Sequence, residues 1–346
     1  MSRIKEIDRN FAVPGTVDLP DGRFWNAQEP PFAIRGLFYE NGRFRRIPED
    51  VAKSVNEGVL ILHANTAGGR VRFRTDSPYV AIHAEMDGIG KMPHFAITGS
   101  AGFDLYADNE YAGTFVPPFD MTRGYEGILW LPGAGEKEIT IHFPLYSDVK
   151  DLYIGLKNGA ALLRPAPYSP GPPAVYYGSS ITQGGCASRP GLAYQNILSR
   201  KLNADHLNLG FSGSAKAEDV MAEYIAGLDM RVFVYDYDHN APTPEHLRAT
   251  HRRLFETVRK AHPTLPIVMM SRPVYTLRGD EPERLAIIKE TYEAAKAAGD
   301  ENVFLIDGPT LMALAKNEGT VDGCHPNDLG FYSMADAVEK ILRKII

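Results

Sequence analysis

Val175-Tyr176-Tyr177-Gly178-Ser179-Ser180-Ile181-Thr182-Gln183-Gly184 runs an apolar segment straight into a Gly-Ser-Ser turn. The apolar part is short and rich in β-branched and aromatic residues, so it reads as a buried strand. The turn then presents a serine just past the strand's carboxyl end. Beyond it the same grammar repeats. Strands are expected at 174–177, 206–209, 232–235, 267–270 and 303–306, and helices at roughly 191–203, 216–227, 244–261, 283–298 and 329–344. Strands that alternate with helices imply right-handed crossovers and a parallel sheet covered on both faces, a flavodoxin-like α/β arrangement. Ligands in such sheets sit at the carboxyl ends of the strands. Ser180, Gly210–Gly213, Asp236–Asn240 and Ser271-Arg272-Pro273 all fall at that edge.

Residues 1–165 read differently. Short apolar runs, among them Val59–Ala64, Val71–Thr75, Val80–Met86, Gly102–Ala107, Gly127–Leu131 and Lys137–Phe143, are separated by Gly, Pro, Asn and Asp. Several alternate at period two, and Asn41-Gly42, Gly68-Gly69 and Pro132–Gly135 mark turns. Many short strands of this kind predict an all-β jelly roll or sandwich. The Pro-rich stretch 166–173 reads as a semi-rigid connector, and 174–346 as the second domain.

The composition narrows the function classes. The 346 residues are 44% hydrophobic and 23% charged, with a net charge of −6, which gives no electrostatic case for nucleic acid or anionic membranes. No run is long enough to span a bilayer. Met1–Asp8 lacks the apolar core of a signal peptide, so a cytoplasmic location is expected. Two cysteines do not make a disulfide framework.

Ser180 is the candidate nucleophile. A serine hydroxyl needs an adjacent base at neutral pH. His325, in Asp322-Gly323-Cys324-His325-Pro326, is the candidate base, with Asp322 placed to accept from its Nδ1–H and fix the tautomer. Taken singly, Ser179-Ser180 could merely cap a helix, and Asp-x-x-His occurs in surface loops by chance. Gly213, in Asn208-Leu209-Gly210-Phe211-Ser212-Gly213, and Asn240, in Asp236-Tyr237-Asp238-His239-Asn240, are candidate oxyanion donors with the Ser180 amide. A strand-to-helix turn and a loop cap are the plain alternatives.

In order and spacing this set resembles the SGNH hydrolases, also called GDSL-type esterases. Gly178-Ser179-Ser180 is similar to their first block, Asn208–Gly213 to the second, Asp238–Ala241 to the third and Asp322–His325 to the last. Ser179 stands where Asp is usual, and Asp238 and Ala241 replace Gly and Asp. Ala101-Gly102-Phe103-Asp104-Leu105-Tyr106 resembles the Gly-x-Asp-Leu-His/Tyr signature of a two-domain bacterial subgroup with an N-terminal β-sandwich. The resemblance implies deacylation of a carbohydrate or similar small hydroxylated ester, acetyl foremost, through a covalent acyl-enzyme with no cofactor or metal. Acyl transfer in secondary metabolism is the alternative.

Other classes fit less well. No Gly-x-Gly-x-x-Gly, P-loop or Gly-x-Ser-x-Gly elbow is present in the right context. Asp238, His239 and His325 lack the spacing of a zinc motif. Cys186 and Cys324 flank the catalytic blocks and are either two small thiols or an oxidisable pair. A non-catalytic carbohydrate-binding role would use aromatics such as Trp25, Tyr39, Phe103, Tyr106 and Trp130, which as core residues would have nothing to do with sugars. Tyr106 and Arg272 are the candidate substrate contacts. Oligomeric state is not encoded in any pattern seen here.

Overall fold

Five short segments of the second half form one parallel sheet; four are almost wholly apolar and cannot leave either face in water, and His206–Gly210, with His206 and Asn208, takes the edge. In the computed structural model, which describes residues 7–8 and 12–346, the strand order is His206–Gly210, Ala174–Gly178, Val232–Asp236, Ile267–Met270 and Val303–Ile306. The first strand in sequence lies second in space. The chain therefore winds to one side and then the other, which puts the topological switch point, where ligands bind in such sheets, at the carboxyl end of Ala174–Gly178. Tyr194–Leu202 and Asp328–Ile345 pack against each other, as do Pro244–Ala261 and Glu281–Ala297. One buried cluster holds Val175, Tyr177, Phe233, Tyr235, Ile267 and Met269, and the other holds Tyr176, Val232, Val234, Val268 and Met270. The alternation shows that both faces of the sheet are covered. Residues Met1–Glu6, most of the segment in which a signal peptide was sought, lie outside the described residues.

The first half is antiparallel and β-rich. A four-stranded sheet runs Gly22–Asn26, Asp148–Lys157, Tyr79–Gly88, Gly124–Trp130. A six-stranded sheet runs Leu162–Leu163, Arg70–Thr75, Lys137–His142, Phe103–Ala107, Glu110–Phe115, with Ala33–Arg35 also paired to Arg70–Thr75. Val71, Phe73, Phe103 and Ile141 of one sheet share a core with Ile82, Leu152 and Ile154 of the other. Asn41 and Gly42 both take positive φ in the hairpin between Phe38–Glu40 and Arg43–Arg45, as their turn type demands.

The Val59–Ala64 run is not a strand. Glu57–Leu62 is helical, capped by Asn56, whose Oδ1 accepts from the Val59 amide at 2.9 Å. Val59 is buried and Ile61 is exposed, but Leu60 and Leu62 also pack inward, which is a helical and not an alternating pattern. This helix and Glu49–Val55 before it pack into the core of the parallel-sheet half, beside Phe211 and Met221. The two halves therefore share a core across their seam. The Pro-rich stretch is fastened too: Arg231 donates to the carbonyls of Ser169, Pro170 and Pro172.

Candidate active site

Ala174–Gly178 ends at a residue that can only be glycine. A Cβ on Gly178 would lie 1.7 Å from Asp236 Oδ1 and 2.4 Å from Thr182 Oγ1. The chain then turns through Ser179, whose Oγ accepts from the Ile181 amide at 3.1 Å and starts the short helix Ser180–Gln183. Ser180 is thus the first helical residue. Its amide has no acceptor among the described residues, as expected of a helix start.

Asp236, one strand over, braces this turn. Its Oδ1 accepts from the Ser179 amide at 3.3 Å and from the Thr182 hydroxyl. Its Oδ2 has no partner among the described residues. Burial pushes the carboxyl up to about 7 despite the two hydrogen bonds. Sequence reading placed Asp236 at the sheet edge without giving it a role.

His325 arrives from the far end of the chain, in the loop before Asp328–Ile345. Its Nε2 lies 3.0 Å from Ser180 Oγ, and its Nδ1 lies 2.8 Å from Asp322 Oδ2. The other oxygen of Asp322 accepts from the amides of Cys324 at 3.0 Å and His325 at 2.7 Å. Partial burial pulls the Asp322 pKa up, but bonds from the His325 ring and from these two amides outweigh it and hold the carboxyl at about 2. An anionic Asp322 orients the imidazole and favours the Nδ1–H tautomer.

Asn240 ends a single turn of 3₁₀ helix, Tyr237–Asn240, at the tip of Val232–Asp236. Its Nδ2 donates to Phe211 O at 2.8 Å, and its Oδ1 accepts from the Gly213 amide at 3.2 Å. One of its two amide protons remains unassigned. Gly213 sits at φ +65° with open space where a Cβ would be, a backbone that glycine adopts without strain. Ser180, Gly213 and Asn240 thus each follow a strand end on the same edge of the sheet, with the Gly213 amide already engaged by Asn240.

The two candidate substrate contacts already hold partners within the protein. The Arg272 guanidinium approaches Asp238 at 3.4 Å and Glu281 at 3.6 Å, and its amide donates to Asp238. With Arg284, which reaches the carbonyls of Asp238 and Ala241, it clamps the loop that carries Asn240. Tyr106 is buried, and its hydroxyl accepts from Arg189. Both residues are occupied by framework contacts, which spacing along the chain does not reveal. Of the other aromatics, Phe103 is core and Trp130 is exposed.

The β-rich half supplies part of the site. His94 Nε2 lies 4.0 Å from Asp322 Oδ2, and its ring centroid is 5.4 Å from that of His325. Tyr146 donates to Ser180 O at 3.2 Å, and Asn65 Oδ1 accepts from Gln183 Nε2 at 3.0 Å. None of the three stood in a motif, so sequence reading missed them. Both cysteines are free thiols. Burial, then the Asp322 charge and Cys324, push the Cys186 thiol up to about 12, which argues against a cysteine nucleophile.

The comparisons with known proteins bear on the family and the fold. The profile of the GDSL-like Lipase/Acylhydrolase family matches residues 172–343, and that of the GxDLY N-terminus of SGNH-hydrolase-type esterases matches residues 22–162. A candidate GDSL-like lipase from Bacteroides ovatus ATCC 8483 is 30% identical, covering 94% of this chain and 98% of its own, with a TM-score of 0.83. The chain belongs to the GDSL-like lipase/acylhydrolase family, with the GxDLY-type N-terminal domain of SGNH esterases. Two more distant structures share the fold. Salicylyl-acyltransferase SsfX3 from a tetracycline biosynthetic pathway is 22% identical over 95% of this chain and 99% of its own, TM-score 0.78. A family two carbohydrate esterase from Cellvibrio japonicus is 15% identical over 94% and 98%, TM-score 0.62. No curated protein sequence matches. Among the described residues no helix is long and apolar enough to cross a membrane.

Proposed function

We propose that this chain is a serine esterase that removes an O-acyl group, acetyl foremost, from a carbohydrate or similar small hydroxylated substrate. The observation that carries the reading is the continuous relay from Ser180 Oγ to His325 Nε2 at 3.0 Å and from His325 Nδ1 to Asp322 at 2.8 Å. The carbohydrate assignment draws on structural neighbours described as carbohydrate esterases, one an acetyl xylan esterase from Butyrivibrio proteoclasticus.

In the first step His325 takes the Ser180 proton as Oγ attacks the ester carbonyl. The oxyanion meets the unpartnered Ser180 amide and the unassigned proton of Asn240, and Gly213 joins by releasing its long bond to Asn240. Each such donor is worth about 3 kcal/mol in the transition state. The alcohol leaves with the proton from His325. Water, deprotonated by the same ring, then frees the acid and restores Ser180. Asp322 stays ionised throughout and stabilises the imidazolium.

Hydrolysis of p-nitrophenyl acetate by the chain and by Ser180→Ala tests this. The variant is expected to lose about a thousandfold or more in kcat and all labelling by a fluorophosphonate probe. Equal rates in the two proteins would sink the assignment. A panel of acetylated sugars then identifies the alcohol.

A further inference from the structure

Three soft or borderline metal ligands from three distant parts of the chain meet beside the Ser180 hydroxyl. One ring nitrogen of His94, one of His325 and the Sγ of Cys186 lie within 4.8 Å of one another. Thiolate and imidazole are the ligand types that Zn²⁺ and its neighbours in the first transition row prefer, and Mg²⁺ and Ca²⁺ do not. In a tetrahedral zinc site such donors lie roughly 3.3–3.8 Å apart, so a contraction of about 1 Å completes the set. His94 can supply that movement, because it is exposed and sits in a turn before Ile97–Ser100. Cys186 cannot move far and has no need to. It is buried, at φ +76°, just after Gly185, where a Cβ would stand 3.3 Å from His325 Cδ2. A non-glycine residue in the left-handed region costs free energy and is often held so at functional sites. The Asp322 carboxylate, 4.0 Å from His94 Nε2 and 2.8 Å from His325 Nδ1, is placed to accept from a ligating histidine.

We propose that His94, Cys186 and His325 form a binding site for Zn²⁺ or a similar transition-metal ion, and that its occupancy switches the esterase off. On binding, the Cys186 thiol releases its proton to solvent and the metal takes a ring nitrogen of His325. Whichever nitrogen is taken, the relay is broken: Nε2 no longer accepts from Ser180, or Nδ1 no longer holds Asp322. The inhibitory half of this inference rests on His325 being the general base. The binding half does not. The site joins the two halves of the molecule, since His94 belongs to the β-rich half and the other two ligands to the parallel-sheet half. Positions 94, 186 and 325 form no spacing motif, which is why it is invisible in the sequence.

The test uses the whole chain, reduced so that no Cys186–Cys324 disulfide can form. Co²⁺ is titrated first and read by absorption, without reference to activity. A thiolate-to-cobalt charge-transfer band with the d–d bands of a tetrahedral site is expected at one ion per chain. Cys186→Ser abolishes the charge-transfer band, and His94→Ala weakens binding by about tenfold or more. Mg²⁺ gives no competition. Zn²⁺ is then titrated against p-nitrophenyl acetate hydrolysis. Turnover is expected to fall at least about tenfold at saturation, to return with EDTA, and to resist the same Zn²⁺ concentration in both variants. Absence of the cobalt bands, or bands that survive in both variants, overturns the site. Bands that form normally while turnover is untouched leave metal binding standing and overturn the switch.

Discussion

Asn240 shows how much a single side chain decides here. Its amide group faces two ways: Oδ1 holds the Gly213 amide, and Nδ2 donates to Phe211 O and keeps one proton for a ligand. In the proposed mechanism, replacement by alanine removes a donor that matters only once the carbonyl oxygen becomes charged. Asn240→Ala is therefore expected to lower kcat by about a hundredfold to a thousandfold with KM little changed. Steady-state kinetics on one chromogenic acetate ester decide it. A change confined to KM would place Asn240 in ground-state binding instead. The residue was legible in the sequence as the end of Asp-His-Asn after a strand. Its dependence on the Arg284 and Arg272 clamp was not, because those arginines come 44 and 32 residues later on other elements.

At the scale of the element, the sheet edge is held by a carboxyl group that ionises reluctantly. Asp236 ends Val232–Asp236 and accepts from the neighbouring turn, yet burial raises its pKa to about 7. In the unfolded chain an aspartate titrates near about 3.9. Between those two values the folded state holds a proton that the unfolded state has released. This group therefore favours folding fully below about pH 4, and its contribution is lost as pH rises through about 7. Asp236→Asn cannot ionise and keeps an acceptor for the Ser179 amide. From pH 5 to pH 8 the melting temperature of the parent should fall relative to the variant by a few degrees, on the order of 2–6 °C. Parallel curves would show that the carboxyl titrates outside that window.

The whole molecule is organised around a seam that anchors charge. Asp104, in the Gly-x-Asp-Leu-Tyr stretch, is fully buried and accepts from Arg189 at 2.8 Å, from the Gly191 amide at 2.8 Å and from His142 at 2.8 Å. Burial raises its pKa, but His142 and Arg189 more than offset this and keep it below the usual carboxylate range. Asp104 thus pins the chain that follows the Ser180–Gln183 helix to the β-rich half. Asp104→Asn leaves Arg189 facing a neutral amide, a loss of about 3 kcal/mol or more. Calorimetry should show a fall of several degrees in melting temperature, together with lower kcat as the 185–191 segment loosens. An unchanged melting point with normal turnover would mean that the seam does not depend on this residue.

The alternation of strand-like runs with amphipathic stretches was enough to place all five parallel strands, four of them almost wholly apolar as a doubly covered sheet requires and the edge strand His206–Gly210 set by its place in that alternation. The order of Ser180, Gly213, Asn240 and Asp322–His325 was likewise readable, since each follows a strand end or precedes the last helix. Local pattern failed at Val59–Ala64, where a β-branched run folds as a helix because Asn56 caps it and the other half of the molecule covers it. It did not show the partners of Arg272 and Tyr106, which lie far away in sequence. His94, Asn65 and Tyr146 came into the site only through docking of the two halves. Periodicity and capping are properties of neighbours along the chain, so the sequence by itself determined the elements and the candidate relay. Which side chains surround that relay is a matter of long-range packing, and only the tertiary structure decided it.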